Sequence, residues 1–399
     1  LPAALGNQQK AIMQPIKILH LIPTLTSGGA ERQLVNNICN TSPNAFLHCV
    51  CTFGKPDFFA PMITQAGHQV LELNISGKHP WFSAVRKILP VIREYKPDVI
   101  QTWLYDANIV GRLAHLFHTK IPLINTLQTP NYEPEAIKAG NWSPTKVEAL
   151  RRIDKLTMSL AETHFVACSH YVRKSYQKRM GISDSQITVI YNSVDPELLV
   201  SAEGEPQRIR QELEIPADGF VYISVGRLDA AKNHLFLLQS FKKILSNVPQ
   251  AYLIIVGTGP LEQELKDSSN SLGINHRMRF LGRRTDVGAC LEMADVFVFP
   301  TLFEGFSLAL AEAIFKRLPC IASRIEVLQE AITENETGLL FDPAVQSELA
   351  EAMIKIYNQP ELRRRFVEIA LRDAEKRFHI RATIPKWENL YHQLINEKG

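Results

Sequence analysis

Phe220-Val221-Tyr222-Ile223-Ser224-Val225-Gly226-Arg227-Leu228-Asp229-Ala230-Ala231-Lys232-Asn233-His234 reads as a strand, a loop and the start of a helix. The apolar run 220–225, rich in β-branched and aromatic residues, predicts a strand buried on both faces. A glycine ends it, and 234–245 carries helical spacing. Downstream, 252–256 is a strand, 261–267 opens a helix, and 278–281, 296–299 and 320–322 are short strands. Upstream, 16–22 is the first clear strand, and Leu34, Val35 and Ile38 share one face of a helix over 30–39. Strands are also expected at 48–53, 69–73, 98–102, 123–126, 164–168 and 187–191, most separated by helical stretches. This alternation indicates parallel sheets with helices on both faces.

A polar stretch at 201–218 interrupts the pattern. We therefore expect two α/β domains in series, 16–200 and 201–379, after a loose leader at 1–15 that lacks the features of a signal peptide. The segment 354–397 reads mostly helical, with Trp387, Leu390, Tyr391 and Leu394 on one stripe. It either caps the second domain or crosses back to the first.

A chain of 399 residues, 45% hydrophobic and 21% charged, suits two packed cores. A net charge of +3 is too mild for a nucleic-acid binder and compatible with loose contact to an anionic membrane face. No apolar run approaches the ~20 residues that span a bilayer. The six cysteines are scattered, without a zinc pattern, and read as buried small hydrophobes in a reducing cytoplasm. Two basic groups, Arg151-Arg152 with Lys155 and Arg173-Lys174 with Lys178-Arg179, read as solvated helix faces or as a face toward a membrane.

Three segments carry chemistry. Gly28-Gly29 ends a strand-to-helix connection, where free N–H donors suit a phosphate; it lacks the G-x-G-x-x-G pattern, and a plain tight turn fits it as well. Gly226, Arg227 and Lys232 lie at the carboxyl end of a strand, where open α/β sheets bind ligands. There Arg227 and Lys232 reach one anion, or are two solvated cations. The third segment is Phe303-Glu304-Gly305-Phe306-Ser307-Leu308-Ala309-Leu310-Ala311-Glu312. With a helix starting near Ser307, Glu304 stands in the loop and Glu312 about one and a half turns into the helix. The N–H groups of Phe306, Ser307 and Leu308 form an anion cradle. Each carboxylate suits the paired hydroxyls of a sugar or ribose. Apolar neighbours surround Glu312, so a carboxylate there calls for a partner.

With these segments, Ser27-Gly28-Gly29-Ala30-Glu31-Arg32, Val189-Ile190-Tyr191-Asn192-Ser193-Val194-Asp195, Val256-Gly257-Thr258-Gly259-Pro260 and Phe280-Leu281-Gly282 complete an ordered set. In this order the chain resembles family 4 glycosyltransferases of the GT-B fold, from Ile18 to about Tyr391. The resemblance implies two Rossmann-like domains facing a central cleft, with the C-terminal helix (about 380–399) crossing back. It implies a retaining, metal-independent transferase that moves a hexose-type sugar from a UDP-sugar, or second a GDP-sugar, to a hydroxyl acceptor, with no tightly bound cofactor. The acceptor is a saccharide, a lipid-linked saccharide or a small molecule. Arg227 and Lys232 would hold the donor diphosphate, Glu304 the transferred sugar and Glu312 the ribose. Phe306, Ser307 and Leu308 would add backbone contacts beside Gly305, Gly28 and Gly29 would approach the diphosphate, and Gly282 and Arg283 would lie near the base. Two positions depart from the family on the acceptor side. Gln128 and Asp106 stand where relatives carry His. A nucleotide-sugar epimerase or hydrolase of the same fold, or a non-catalytic nucleotide-sugar-binding protein, remains the alternative.

Overall fold

The computed structural model describes residues 14–26, 28–55, 58–75 and 81–398. Most of the expected leader, and Ser27 of the glycine turn, lie outside them. Thirteen strands are described: β1 (Ile16–Ile22), β2 (Phe46–Thr52), β3 (Gln69–Glu72), β4 (Val99–Trp103), β5 (Leu123–Leu127), β6 (His164–Ala167), β7 (Ile187–Val189), β8 (Phe220–Val225), β9 (Ala251–Val256), β10 (Met278–Phe280), β11 (Val296–Phe299), β12 (Cys320–Ser323) and β13 (Leu339–Phe341). They form two sheets, ordered β3-β2-β1-β4-β5-β6-β7 and β10-β9-β8-β11-β12-β13. Neighbouring strands run parallel, for example Ile18 beside Val99 and Tyr222 beside Val296.

Each sheet is built outward from its first strand, first to one side and then to the other. The reversal falls between β1 and β4 in one and between β8 and β11 in the other. Loops leaving the carboxyl ends of two such strands diverge and leave a crevice, where open α/β sheets take ligands.

The second sheet shows why its strands form. Val221, Ile223, Ile254, Val256, Phe297 and Phe299 pack on one face. Tyr222, Leu253, Ile255, Val296, Val298 and Ile321 pack on the other. With period 2 and both faces covered, the central strands β8, β9 and β11 are apolar at every position but the buried Ser224, whose hydroxyl lies 3.5 Å from His234 Nε2. Strand β13 completes this sheet and went unexpected, because three residues after Gly338 give no periodicity to read.

The chain divides into two compact units, one of 1–125, 160–163 and 388–399 and one of 126–159 and 164–387. The last helix, Ile380–Lys398, therefore ends in the first unit. There the Tyr391 hydroxyl donates to Gln101 Oε1 at 2.7 Å and its ring packs on Phe46. All six cysteines are free; Cys39 alone is exposed, a correction to the expectation that they are buried.

Candidate active site

In the second unit, the loops after β8 and β9 stack backbone on backbone. Gly226 N donates to Val256 O, and Leu228 N to Thr258 O. Gly257 has φ +137°, and a Cβ there would lie 1.9 Å from Gly226 O, so only glycine fits. Gly282, at φ +62°, accepts from Gly257 N at 2.8 Å, which brings the β10 end into the same layer. Arg283 beside it is exposed.

From this base the β8 loop turns through Ala230–Lys232 into the helix His234–Ile244. Asp229 caps the turn by accepting from Lys232 N. Lys232 reaches across the sheet reversal, and its Nζ forms an ion pair with Glu304 Oε1 from the β11 loop. Both side chains are largely buried, at 20% and 11% exposure, and Lys232 Nζ also lies 5.1 Å above the Phe299 ring. Thr301 holds the pair in place: its hydroxyl lies 3.2 Å from Glu304 Oε1 and 3.0 Å from Ala231 O. Behind Lys232, burial and the lysine charge push the His234 imidazole down to about 4, so it is neutral near pH 7. Arg227 is 71% exposed, with Asp229 at 3.6 Å, and belongs to the rim.

The helix Leu308–Phe315 follows the Glu304 loop. Ser307 is its N-cap and accepts from Leu310 N at 3.2 Å. Its first turn carries no acid. Glu312 is 4% exposed, among buried Leu310, Ala311, Ala313 and Ile314. Phe306 packs on Tyr191 and Phe378.

Gly305 meets the Gln128 backbone so closely that a Cβ would lie 2.0 Å from Gln128 O. Its own carbonyl accepts from buried Ser169 Oγ at 2.7 Å. Gln128 Oε1 in turn accepts from Asn192 Nδ2 at 2.8 Å. Sequence reading assigned no role to Ser169. Its signal was the N-cap position of the helix His170–Met180, where its hydroxyl accepts from Val172 N. Glu330 was also missed: its carboxylate accepts from His170 N, Tyr171 N and the Tyr191 hydroxyl. A cavity of about 480 Å³ opens beside Glu304, with Phe303 and Glu326 on one wall and Glu133, Tyr171 and Lys174 on the other.

In the first unit, Gly28 is the N-cap of the helix Gly29–Asn40. Glu31 is nearly buried in its first turn and accepts from Thr24 Oγ1 at 2.9 Å. The Glu31 carboxylate fills the space at Gly28, where a Cβ would lie 2.2 Å from Oε2. Asp106 accepts from the Trp81 indole at 2.8 Å. Among the described residues no group of three or more His, Cys, Asp or Glu could hold a metal ion.

The family models cover both halves. That of "Glycosyltransferase Family 4" matches residues 27–198, and that of "Glycosyl transferases group 1" matches 206–373. The chain belongs to the family 4 glycosyltransferases, with the GT-B fold. As a glycosyltransferase it moves a sugar between molecules. It is 26% identical over 391 residues to an N-acetylgalactosaminyltransferase of Campylobacter jejuni that acts on an undecaprenol-diphosphate-linked glycan, covering 96% of this chain and 99% of that one. It is 26% identical over 269 residues to an Escherichia coli UDP-Gal:GlcNAc-diphosphoundecaprenol galactosyltransferase, covering 67% and 68% of the two chains. HepE of Anabaena, solved with UDP-glucose, shares the fold at a TM-score of 0.81, 22% identity, and 95% and 100% coverage. No helix among the described residues of the glycosyltransferase is long and apolar enough to cross a membrane.

Proposed function

We propose that this glycosyltransferase is a retaining, metal-independent enzyme that takes its sugar from a UDP-sugar. The Lys232–Glu304 ion pair at the sheet reversal carries this reading. A sugar diphosphate offers each member of the pair a better partner: phosphate oxygens for the ammonium and sugar hydroxyls for the carboxylate. Donor arrival then exchanges one internal ion pair for two ligand contacts. Arg227, at the rim, adds a guanidinium suited to bidentate grip of phosphate. Glu312 reads the ribose, the start of its helix faces the diphosphate beside Gly305, Phe306, Ser307 and Leu308, and Gly282 with Arg283 borders the base. Gly28 and Gly29 would approach the diphosphate only through close backbone contact, because Glu31 already fills the start of their helix. The domains of this reading are 16–200, with the C-terminal helix (about 380–399), for the acceptor and 201–379 for the donor.

In the chemical step the bond from the anomeric carbon to the diphosphate oxygen breaks. The acceptor oxygen bonds to that carbon from the same face. Its proton passes to the departing phosphate oxygen, so Glu304 and Glu312 serve recognition and neither need act as a base. Lys232, Arg227 and the helix start stabilise the phosphate charge as it grows, the work a metal does elsewhere. Relatives that act on lipid-linked glycans support a glycan acceptor. Gln128 beside Gly305, and Asp106, are its candidate contacts.

A thermal-shift panel of nucleotide sugars tests the donor, since a ligand that binds only the folded state raises the melting temperature. UDP-sugars are expected to stabilise in the presence of EDTA. Stabilisation by GDP-sugars alone would overturn the base assignment. The anomeric configuration of the product, read by NMR, tests retention; inversion would refute it.

A further inference from the structure

A second cavity, of about 780 Å³, opens beside the first within the same unit, and Lys178 lines both. The two differ in chemistry. The first carries Glu133 and Glu135 opposite Glu304 and Glu326, which suits hydroxyls. Burial alone would raise the Glu133 carboxyl. Hydrogen bonds from Arg179 and Ser175, with the nearby Arg179 and Lys178 charges, hold it below its ordinary range, so it is an anion at neutral pH. The second cavity is lined by Lys138, Arg151, Lys178 and Arg179 against a single acid, Glu148.

Its walls are built. Glu148 grips Arg151 through two hydrogen bonds of 2.8 Å, and Arg151 also donates to Arg179 O at 2.9 Å. Arg179 holds Glu133 at 2.7 Å, tying the two cavities together. Lys138 and Lys178 line the cavity and form no ion pair among the described residues. Trp142, 48% exposed, packs its ring against Gly140, where a Cβ would come within 2.6 Å of it. An indole face anchored in this way offers a platform for the C–H face of a sugar.

We infer that the second cavity binds an anionic group on the acceptor, one sugar unit or more away from the hydroxyl that reacts beside Glu304. The class is an anionic saccharide, whose charge comes from a phosphate or from a carboxylate. Lys178 is the shared contact that joins the reacting unit to the charged one. This rests on the proposed transfer from a nucleotide sugar and adds an acceptor class to it.

Trp142 fluorescence provides a readout independent of turnover, with glucose 1-phosphate, glucuronate and glucose as probes. Saturable quenching by the anionic sugars is expected, about tenfold tighter than by glucose, the scale of one charge-assisted hydrogen bond. Trp142→Phe should remove the signal, Lys178→Ala should weaken anion binding about tenfold, and Lys138→Ala, at a residue that lines the second cavity and not the first, should weaken anion binding while nucleotide-sugar affinity stays unchanged. Tighter binding of glucose 1-phosphate assigns the site to phosphate-bearing acceptors, and tighter binding of glucuronate to acidic glycans. Equal affinity for glucose, no saturable quenching, or no effect of Lys178→Ala would overturn the inference. Failure of the wild type to bind any nucleotide sugar by calorimetry would instead overturn the donor reading, whatever the fluorescence shows.

Discussion

The two sheets share one strand order over six strands, the first adding β7 at its edge, yet the helix starts beside their reversals are filled differently. In the first unit, the helix Gly29–Asn40 begins with its own carboxylate: Glu31 folds back over Gly28 and is held by Thr24. In the second, the helix Leu308–Phe315 begins with Ser307 and an apolar turn, and the nearby charges are the opposed pair Lys232 and Glu304. A helix start attracts anions through its partial positive charge. Once a carboxylate of the same helix occupies it, little of that charge is left for a ligand. The second start keeps its charge, and it follows the loop that also supplies Glu304, the carboxylate proposed to read the sugar.

The largest effect that would break this contrast is the loss of Lys232. Lys232→Ala is expected to cut kcat/KM by about 10²–10³-fold, the scale of one removed electrostatic stabiliser. Arg227→Ala should cost less, because the exposed guanidinium is screened by solvent. Steady-state kinetics on both variants checks the order; near-normal turnover in Lys232→Ala would remove the phosphate assignment.

Acid should separate the two units next. His20 and His48 lie buried in the first unit, 2.9 Å apart between ring nitrogens. Burial, then the nearby His68, pushes His20 down to about 3, and burial with its two neighbours lowers His48. Unfolded histidine titrates near 6.5. Folding therefore holds these rings neutral, and the unfolded chain binds more protons below about pH 6.5. Their stabilisation is complete above that pH and is lost as pH falls toward 3, by on the order of a few kcal/mol. The second unit carries one such ring, His234 after β8, against two paired rings in the first, so hydrogen exchange between pH 7 and 4.5 should show β1 and β2 losing protection before β8 and β9. Uniform loss across both sheets would contradict this.

Smaller effects sharpen the picture. Glu312→Gln should weaken nucleotide binding by about 1.5–3 kcal/mol, the value of hydrogen bonds to a charged acceptor. Unchanged affinity by calorimetry would reject its ribose role. Glu31→Gln should cost about 0.3–1 kcal/mol of stability and leave nucleotide affinity within about twofold. Tighter nucleotide binding in that variant would mean that Glu31 competes with a phosphate for the helix start at Gly28-Gly29.

Sequence reading recovered twelve strands and both sheets because each half alternates apolar strands with amphipathic helices, a local signal. It failed at β13, where three residues carry no period. At the site, Lys232, Glu304 and Ser307 were found one by one, since each stands at a strand end or helix start. That Lys232 and Glu304 pair was not readable: they are 72 residues apart and meet only because the strand order reverses between β8 and β11. Gly305 was placed beside the anion cradle, but its close approach to the Gln128 backbone could not be read from the chain. Ser169 is legible only as an N-cap, and its bond to Gly305 O, like the bonds of Glu330 to His170, Tyr171 and Tyr191, joins groups distant in sequence.

The central claim is that donor binding exchanges the Lys232–Glu304 pair for contacts to phosphate and sugar. Calorimetry of UDP and of the UDP-sugar that the panel selects, on wild type, Lys232→Ala and Glu304→Gln, tests it most directly. The account predicts that Lys232→Ala weakens both ligands, while Glu304→Gln weakens the UDP-sugar and spares UDP. Equal losses for both ligands in both variants would contradict it.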